Sequence, residues 1–171
     1  MRTESAVYAG SFDPPTNGHV WMIEQGVRLF SKLIVAVAHN PEKAYTYSLE
    51  QREHWLREIC SVHDNIEVAV IENEFLAHYA SRVEARFVIR GIRNEADYQY
   101  ERGMRYVNSD LNQGLTTVFL MPPRELCEIS SSFVKGMIGP DGWASVVENY
   151  VPKCVFKDLR HEAEAGEMLD G

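Results

Sequence analysis

The strongest constraint on what this chain can fold into is an alternation of short apolar runs with stretches of helical period. Ser5–Ala9, Leu33–Ala38, Ile66–Ile71, Arg86–Ile89 and Thr116–Met121 are apolar at mostly successive positions rather than at every second one. A strand exposed on one face alternates, whereas a strand covered on both faces does not. A helix between successive strands makes them run in the same direction. The expected fold is therefore α/β: a Rossmann-like, doubly wound, five-stranded parallel sheet with helices on both faces.

The intervening segments fit that scheme. Val20, Ile23, Val27 and Phe30 recur at spacings of three and four and share one helix face, although Gly26 within it costs about 1 kcal/mol against alanine. Ser48 followed by Gln51 resembles a capping box opening a helix with Trp55, Leu56 and Ile59 inward. Further helices are expected over Phe75–Glu84, Asp97–Leu111, Ser131–Ile138 and Trp143–Tyr150. The chain reads as one domain over residues 1–160, followed by an acidic tail, 161–171, that is either a solvated helix or a disordered end and carries no assigned function.

With 171 residues and 45% apolar composition, the chain can bury a substantial core without staples. A net charge of −8 argues against a nucleic-acid partner, because polyanion binding needs a basic footprint. Cys60, Cys127 and Cys154 are odd in number and far apart, which disfavours a disulfide framework or a zinc site and suggests a reducing cytoplasm. The N-terminus lacks a signal-peptide core, and no apolar stretch approaches membrane-spanning length, so no membrane role is expected.

In an open parallel sheet, ligands bind beyond the carboxyl ends of the strands, so residues just after strands are the informative ones. After the first strand comes Gly10-Ser11-Phe12-Asp13-Pro14-Pro15-Thr16-Asn17-Gly18-His19, followed at once by a helix. Glycines allow close backbone approach to a phosphate, and a helix start supplies unpaired N–H groups. His19, in the first turn, could donate to charge developing on a phosphoryl group. A lone histidine there is more often a cap, and it is the order strand, glycine loop, Thr-Asn-Gly-His, helix that favours the chemical role.

Three other segments stand at strand ends. Ile89-Arg90-Gly91-Ile92-Arg93 offers two guanidinium groups able to grip separate anions, or an ordinary charged turn. Ile129-Ser130-Ser131-Ser132 opens a helix and could form a second anion cradle, or a plain N-cap. Lys43 lies in the loop after the second strand, where a lysine is usually solvated.

Together these segments resemble a known family. Thr16-Asn17-Gly18-His19 matches the T/H-x-G-H signature of nucleotidyltransferases. The longer glycine loop, Arg90–Arg93 and the Ile129–Ser132 run resemble bacterial phosphopantetheine adenylyltransferases, from the first strand to Tyr150. The resemblance implies adenylyl transfer from ATP to 4′-phosphopantetheine, with His19, Lys43, Ser11 and Arg93 catalytic. It places Gly10, Ser11, Phe12, His19, Gly91, Arg93, Asp97, Tyr100, Glu101 and Ile129 to Ser132 at ATP. Ser11, Lys43, Phe75, Leu76, Arg90 and Asn108 are placed at the acceptor. It implies Mg²⁺ held mainly by ATP phosphates, no protein metal-ligand set, and a hexamer.

Ser11 keeps the hydroxyl of a position that is threonine or serine in the family. Leu126 and Glu128 depart from aromatic or apolar positions near the adenine, and Gly139–Trp143 does not follow the family closely. Two other readings compete. One is a sister enzyme using nicotinamide mononucleotide or another phosphorylated acceptor, against which Lys43, Arg90 and Asn108 together speak. The other is a nucleotide-binding module without catalysis, against which intact His19, Lys43 and both arginines speak.

Overall fold

The computed structural model describes residues 4–167. Its strands are β1 (Ser5–Gly10), β2 (Lys32–His39), β3 (Ile66–Glu72), β4 (Phe87–Gly91) and β5 (Thr116–Leu120). They form one all-parallel sheet of order β3-β2-β1-β4-β5. Every expected strand forms. The shift that matters is in β4, which starts one residue late and carries Arg90 and Gly91 within the strand, paired with Phe119 and Leu120. Backbone pairing continues past the last apolar side chain because the ladder bonds only main-chain groups.

The helices are α1 (Asn17–Leu29), α2 (Leu49–Cys60), α3 (Leu76–Arg82), α4 (Glu95–Leu111), α5 (Ser131–Lys135), α6 (Trp143–Val147) and α7 (Lys153–Glu167). α3 is shorter than expected: Phe75 is its N-cap and Glu84 adopts φ 55°, which no helix tolerates. α4 starts before Asp97 because Asn94 Oδ1 accepts the Asp97 N–H at 2.9 Å. α5 stops at Lys135, ahead of Gly136, and α6 stops at Val147. The Ser48 cap is half of the expected box: Ser48 Oγ accepts the Gln51 N–H, while the Gln51 side chain reaches Glu162 on α7. α7 was not expected before residue 161, and it runs unbroken across that position. Of the acidic tail, residues 168–171 lie outside the described residues.

Successive residues of the central strands enter opposite cores, which places helices on both faces. Ala6, Tyr8, Leu33, Val35, Val37 and Ile89 pack with Met22 and Ile23 of α1 and Leu56 of α2. Val7, Ala9, Ile34, Ala36 and Val88 pack with Ala77, Tyr79 and Ala80 of α3. A third cluster joins Trp55 of α2 to Val134 of α5, Val147 of α6, and Val155 and Leu159 of α7. Gly26 lets α1 lie close on the first face, since a Cβ there would stand 2.8 Å from Leu33 Cδ2 and 3.0 Å from Ile89 Cδ1. Among the described residues no helix is long and apolar enough to cross a membrane.

Candidate active site

The strand order reverses at β1, which has β2 on one side and β4 on the other. Two cavities open at that switch point. The first, of about 300 Å³, is lined by Gly10, Ser11, His19, Arg90, Gly91, Arg93, Asp97, Glu101, Ile129, Ser130 and Ser131. The second, of about 700 Å³, is lined by Ser11, His39, Lys43, Phe75, Leu76 and Arg90, among others. Ala9, Gly10, Ser11 and Arg90 belong to both, so the chambers share one wall.

Four expected site residues line neither chamber. Tyr100 is 65% exposed: Asp97 and Glu101, one helical turn apart, face the cavity, and Tyr100 is rotated away from them. Asn108 is buried on the same face as Glu101 but two turns further along α4, roughly 10 Å away. Ser132 turns away from Ser131 in the same manner. Phe12 is fully buried behind the site, its ring edge-on to Tyr8 at 5.5 Å and to His19 at 5.0 Å. It braces the imidazole from φ 49°, a left-handed conformation uncommon for an aromatic residue.

His19 is held by its own helix cap. The Thr16 N–H donates to His19 Nδ1 at 2.9 Å, and Thr16 Oγ1 lies 3.0 Å from the same nitrogen. A nitrogen that accepts an amide N–H cannot carry a proton, so the neutral ring bears its hydrogen on Nε2. Nε2 has no protein hydrogen-bond partner among the described residues, and the ring lines the first cavity. Burial, aided by the positive charge of Arg93, lowers the His19 pKa from 6.5 to about 4. The ring is therefore a neutral donor at physiological pH, neither a base nor a cation.

The two arginines of β4 and its loop are each clamped by a carboxylate of α4. Arg90 donates to both oxygens of Glu101 through Nε and Nη2, and to the Ala9 carbonyl through Nη1 at 2.8 Å. Arg93 donates to Asp97 through Nε at 2.8 Å and Nη2 at 3.1 Å. Burial would lower the Arg90 pKa, but Glu101 outweighs it and the net shift is upward. Asp97 holds Arg93 up in turn, and although burial would raise the Asp97 carboxyl, Arg93 keeps it below its usual range. Of the five N–H donors of a guanidinium, two on Arg90 and three on Arg93 stay unspent, enough for a phosphate oxygen or two each.

The serine segment is only partly a cradle. Ser130 Oγ caps α5 by accepting the Phe133 N–H at 3.1 Å, and Ser131 Oγ donates to the Pro14 carbonyl at 2.8 Å. Ser131 thus ties α5 to the glycine loop, and hydroxyl donation toward a ligand falls to Ser130. Asp13 reinforces that tie: its buried carboxylate accepts from Lys135 Nζ at 2.7 Å and from the N–H groups of Thr46 and Tyr47. Burial would raise its pKa, but these donors hold it low.

The sequence places Asp13 in the glycine loop without giving it a role, and it does not mark Arg52 as part of the site. Arg52 sits in a helix rich in charge, Glu50-Gln51-Arg52-Glu53, and nothing local distinguishes a buried cation from a solvated one. It is nevertheless fully buried, with Nη1 donating to the Ser11 carbonyl at 2.9 Å.

Residues 7–137 match the cytidylyltransferase-like family. The chain is 52% identical over 157 residues to a phosphopantetheine adenylyltransferase of Neisseria meningitidis serogroup C, covering 92% of each chain. It is 54% identical over 154 residues to one of Chromobacterium violaceum, covering 90% of this chain and 94% of the relative. Its fold is similar to that of Plasmodium falciparum nicotinic acid mononucleotide adenylyltransferase complexed with NaAD, with TM-score 0.66, 13% identity, and 94% and 96% of the two chains covered. With agreement over 92% of its length, this chain belongs to the phosphopantetheine adenylyltransferases, within the cytidylyltransferase-like family.

Proposed function

We propose that this protein transfers AMP from ATP to 4′-phosphopantetheine, giving dephospho-coenzyme A and pyrophosphate. The observation that carries the reading is the shared wall of Ala9, Gly10, Ser11 and Arg90, which brings the ends of two chambers together. The first takes ATP and the second, with its apolar Phe75 and Leu76, takes the pantetheine arm.

The acceptor's phosphate oxygen attacks the α-phosphorus in line, and pyrophosphate leaves with the electron pair of the broken P–O bond. The attacking oxygen is already anionic near neutral pH, so no general base is needed. What catalysis requires is alignment of two repelling anions and donors for charge at the α-phosphate. His19 Nε2–H donates to that charge. Arg93 and Ser130 hold the β- and γ-phosphates, Arg90 and Ser11 the acceptor's phosphate, and Lys43 reaches the reacting group from the second chamber. The carboxylates at the first chamber, Asp97 and Glu101, are committed to arginines, which fits a Mg²⁺ ion coordinated by ATP oxygens and water. That ion would neutralise the triphosphate.

A homo-hexamer and a cytoplasmic location belong to the same proposal. Tyr98, Tyr100, Tyr106, Val107 and Leu111 of α4 are exposed, an apolar surface suited to a second copy of the chain. The three free thiols suit a reducing compartment.

Pyrophosphate release with ATP and 4′-phosphopantetheine tests the reaction, with nicotinamide mononucleotide as a parallel acceptor. Release with the first alone is expected. Release only with the second would overturn the acceptor, and ATP binding without release from either would overturn catalysis. Analytical ultracentrifugation checks the hexamer.

A further inference from the structure

His39, at the carboxyl end of β2, is a side chain the reaction as described does not use. It lines the second cavity. Its Nδ1 stands 3.1 Å from Arg52 Nη2. A guanidinium only donates, so Nδ1 must accept and the neutral ring carries its proton on Nε2. Nε2 has no protein hydrogen-bond partner among the described residues. The ring lies against Tyr45, with centroids 5.1 Å apart and planes at 35°.

Arg52 fixes this arrangement from several directions. Its Nη1 donates to Ser11 O at 2.9 Å, and its Nε to the carbonyls of Tyr47 at 3.1 Å and Ser48 at 3.2 Å. Its guanidinium carbon lies 4.1 Å from the Tyr45 ring centroid. Every one of these acceptors is neutral, so a fully buried cation is spent on orienting a loop and an imidazole rather than on an ion pair. Because one guanidinium touches both Ser11 O and His39 Nδ1, His39 stands beside the wall the chambers share.

We propose that His39 donates a hydrogen bond from Nε2 to an oxygen at the phosphate-bearing end of the acceptor, with Arg52 as the positioning residue that sets its tautomer. This rests on the reading that the second chamber holds the acceptor. The arrangement repeats the device at His19: a fixed N–H donor takes Nδ1 and leaves Nε2–H for a ligand, once in each chamber.

His39→Phe keeps the ring against Tyr45 and removes the donor, while His39→Gln keeps a donor near the Nε2 position. Loss of one hydrogen bond to an anion should raise the acceptor's KM in His39→Phe by roughly 10- to 100-fold, measured with phosphopantetheine at saturating ATP. The nucleotide's KM and calorimetric binding of unphosphorylated pantetheine should stay within about twofold, and His39→Gln should recover most of the loss. An unmoved acceptor KM in His39→Phe, or an equal rise for ATP, overturns the assignment alone. Absence of any phosphopantetheine turnover by the unaltered protein overturns the functional reading and this assignment with it. Independently of activity, ¹⁵N chemical shifts should show Nε2 protonated and Nδ1 bare in His39, and Arg52→Lys should yield a tautomer mixture. Protonated Nδ1 in the unaltered protein defeats the proposal, and an unchanged tautomer in Arg52→Lys defeats the positioning role.

Discussion

The Thr16 N–H meets Nδ1 of His19 at 2.9 Å, so the residue that caps α1 also decides which nitrogen of the imidazole bears the proton. Capping and the choice of tautomer use the same bond here. The helix start satisfies one of its orphan donors with the side chain proposed to serve the substrate.

Replacing His19 by alanine should lower kcat by about 10²- to 10³-fold, as deleting a single oxyanion donor does. Pre-steady-state pyrophosphate release measures this. Near-normal turnover in the alanine variant would remove His19 from the mechanism.

The acid limb of activity that belongs to His19 should lie near pH 4, where the folded ring takes a proton. Stability follows the same shift. The unfolded ring, at about 6.5, binds a proton the folded ring refuses, so its contribution is whole above pH 6.5 and declines as pH falls toward 4. An NMR titration of His19 midway near 6.5 would contradict both statements.

Arg90 has a structural role besides the binding role proposed for it, and the two can be separated. Arg90→Ala leaves the Glu101 carboxylate buried and unpaired, and should destabilise the fold by about 3–5 kcal/mol in chemical denaturation. The double substitution Arg90→Met, Glu101→Leu should restore most of that loss while the acceptor's KM stays high. Recovery of both would mean Arg90 only supports α4.

Gly26→Ala should destabilise the protein by about 1–2 kcal/mol, although alanine is the better helix former. The new methyl meets Leu33 and Ile89 within 3.0 Å, and overpacking outweighs a propensity gain of about 1 kcal/mol. A higher melting temperature for this variant would show that α1 can move away from the sheet.

All five strands and the switch-point site were legible because strands buried on both faces leave continuous apolar runs, and phosphate loops leave glycines. Helix ends were less so. Asn94 starts α4 ahead of Asp97 through a side-chain bond the apolar pattern does not register. Pro152, a helix-start residue, followed by Val155 and Leu159 at helical spacing, was the unused signal for α7. Arg52 and the bonding role of Asp13 were not legible: their partners are main-chain groups and residues far along the chain, which leave no local trace. The pairing of Arg90 with Glu101 depends on how α4 folds back over β4, so the sequence did not reveal that Glu101, which lines the first chamber as expected, also clamps an arginine.

The wall made of Ala9, Gly10, Ser11 and Arg90 also limits how the enzyme can let go. In the proposed reaction the dinucleotide-like product would keep one covalent body threaded through both compartments, so its exit would require both to empty at once. Such a molecule should compete with each substrate separately, and an analogue bridging the two sites should gain from the proximity that either half alone lacks.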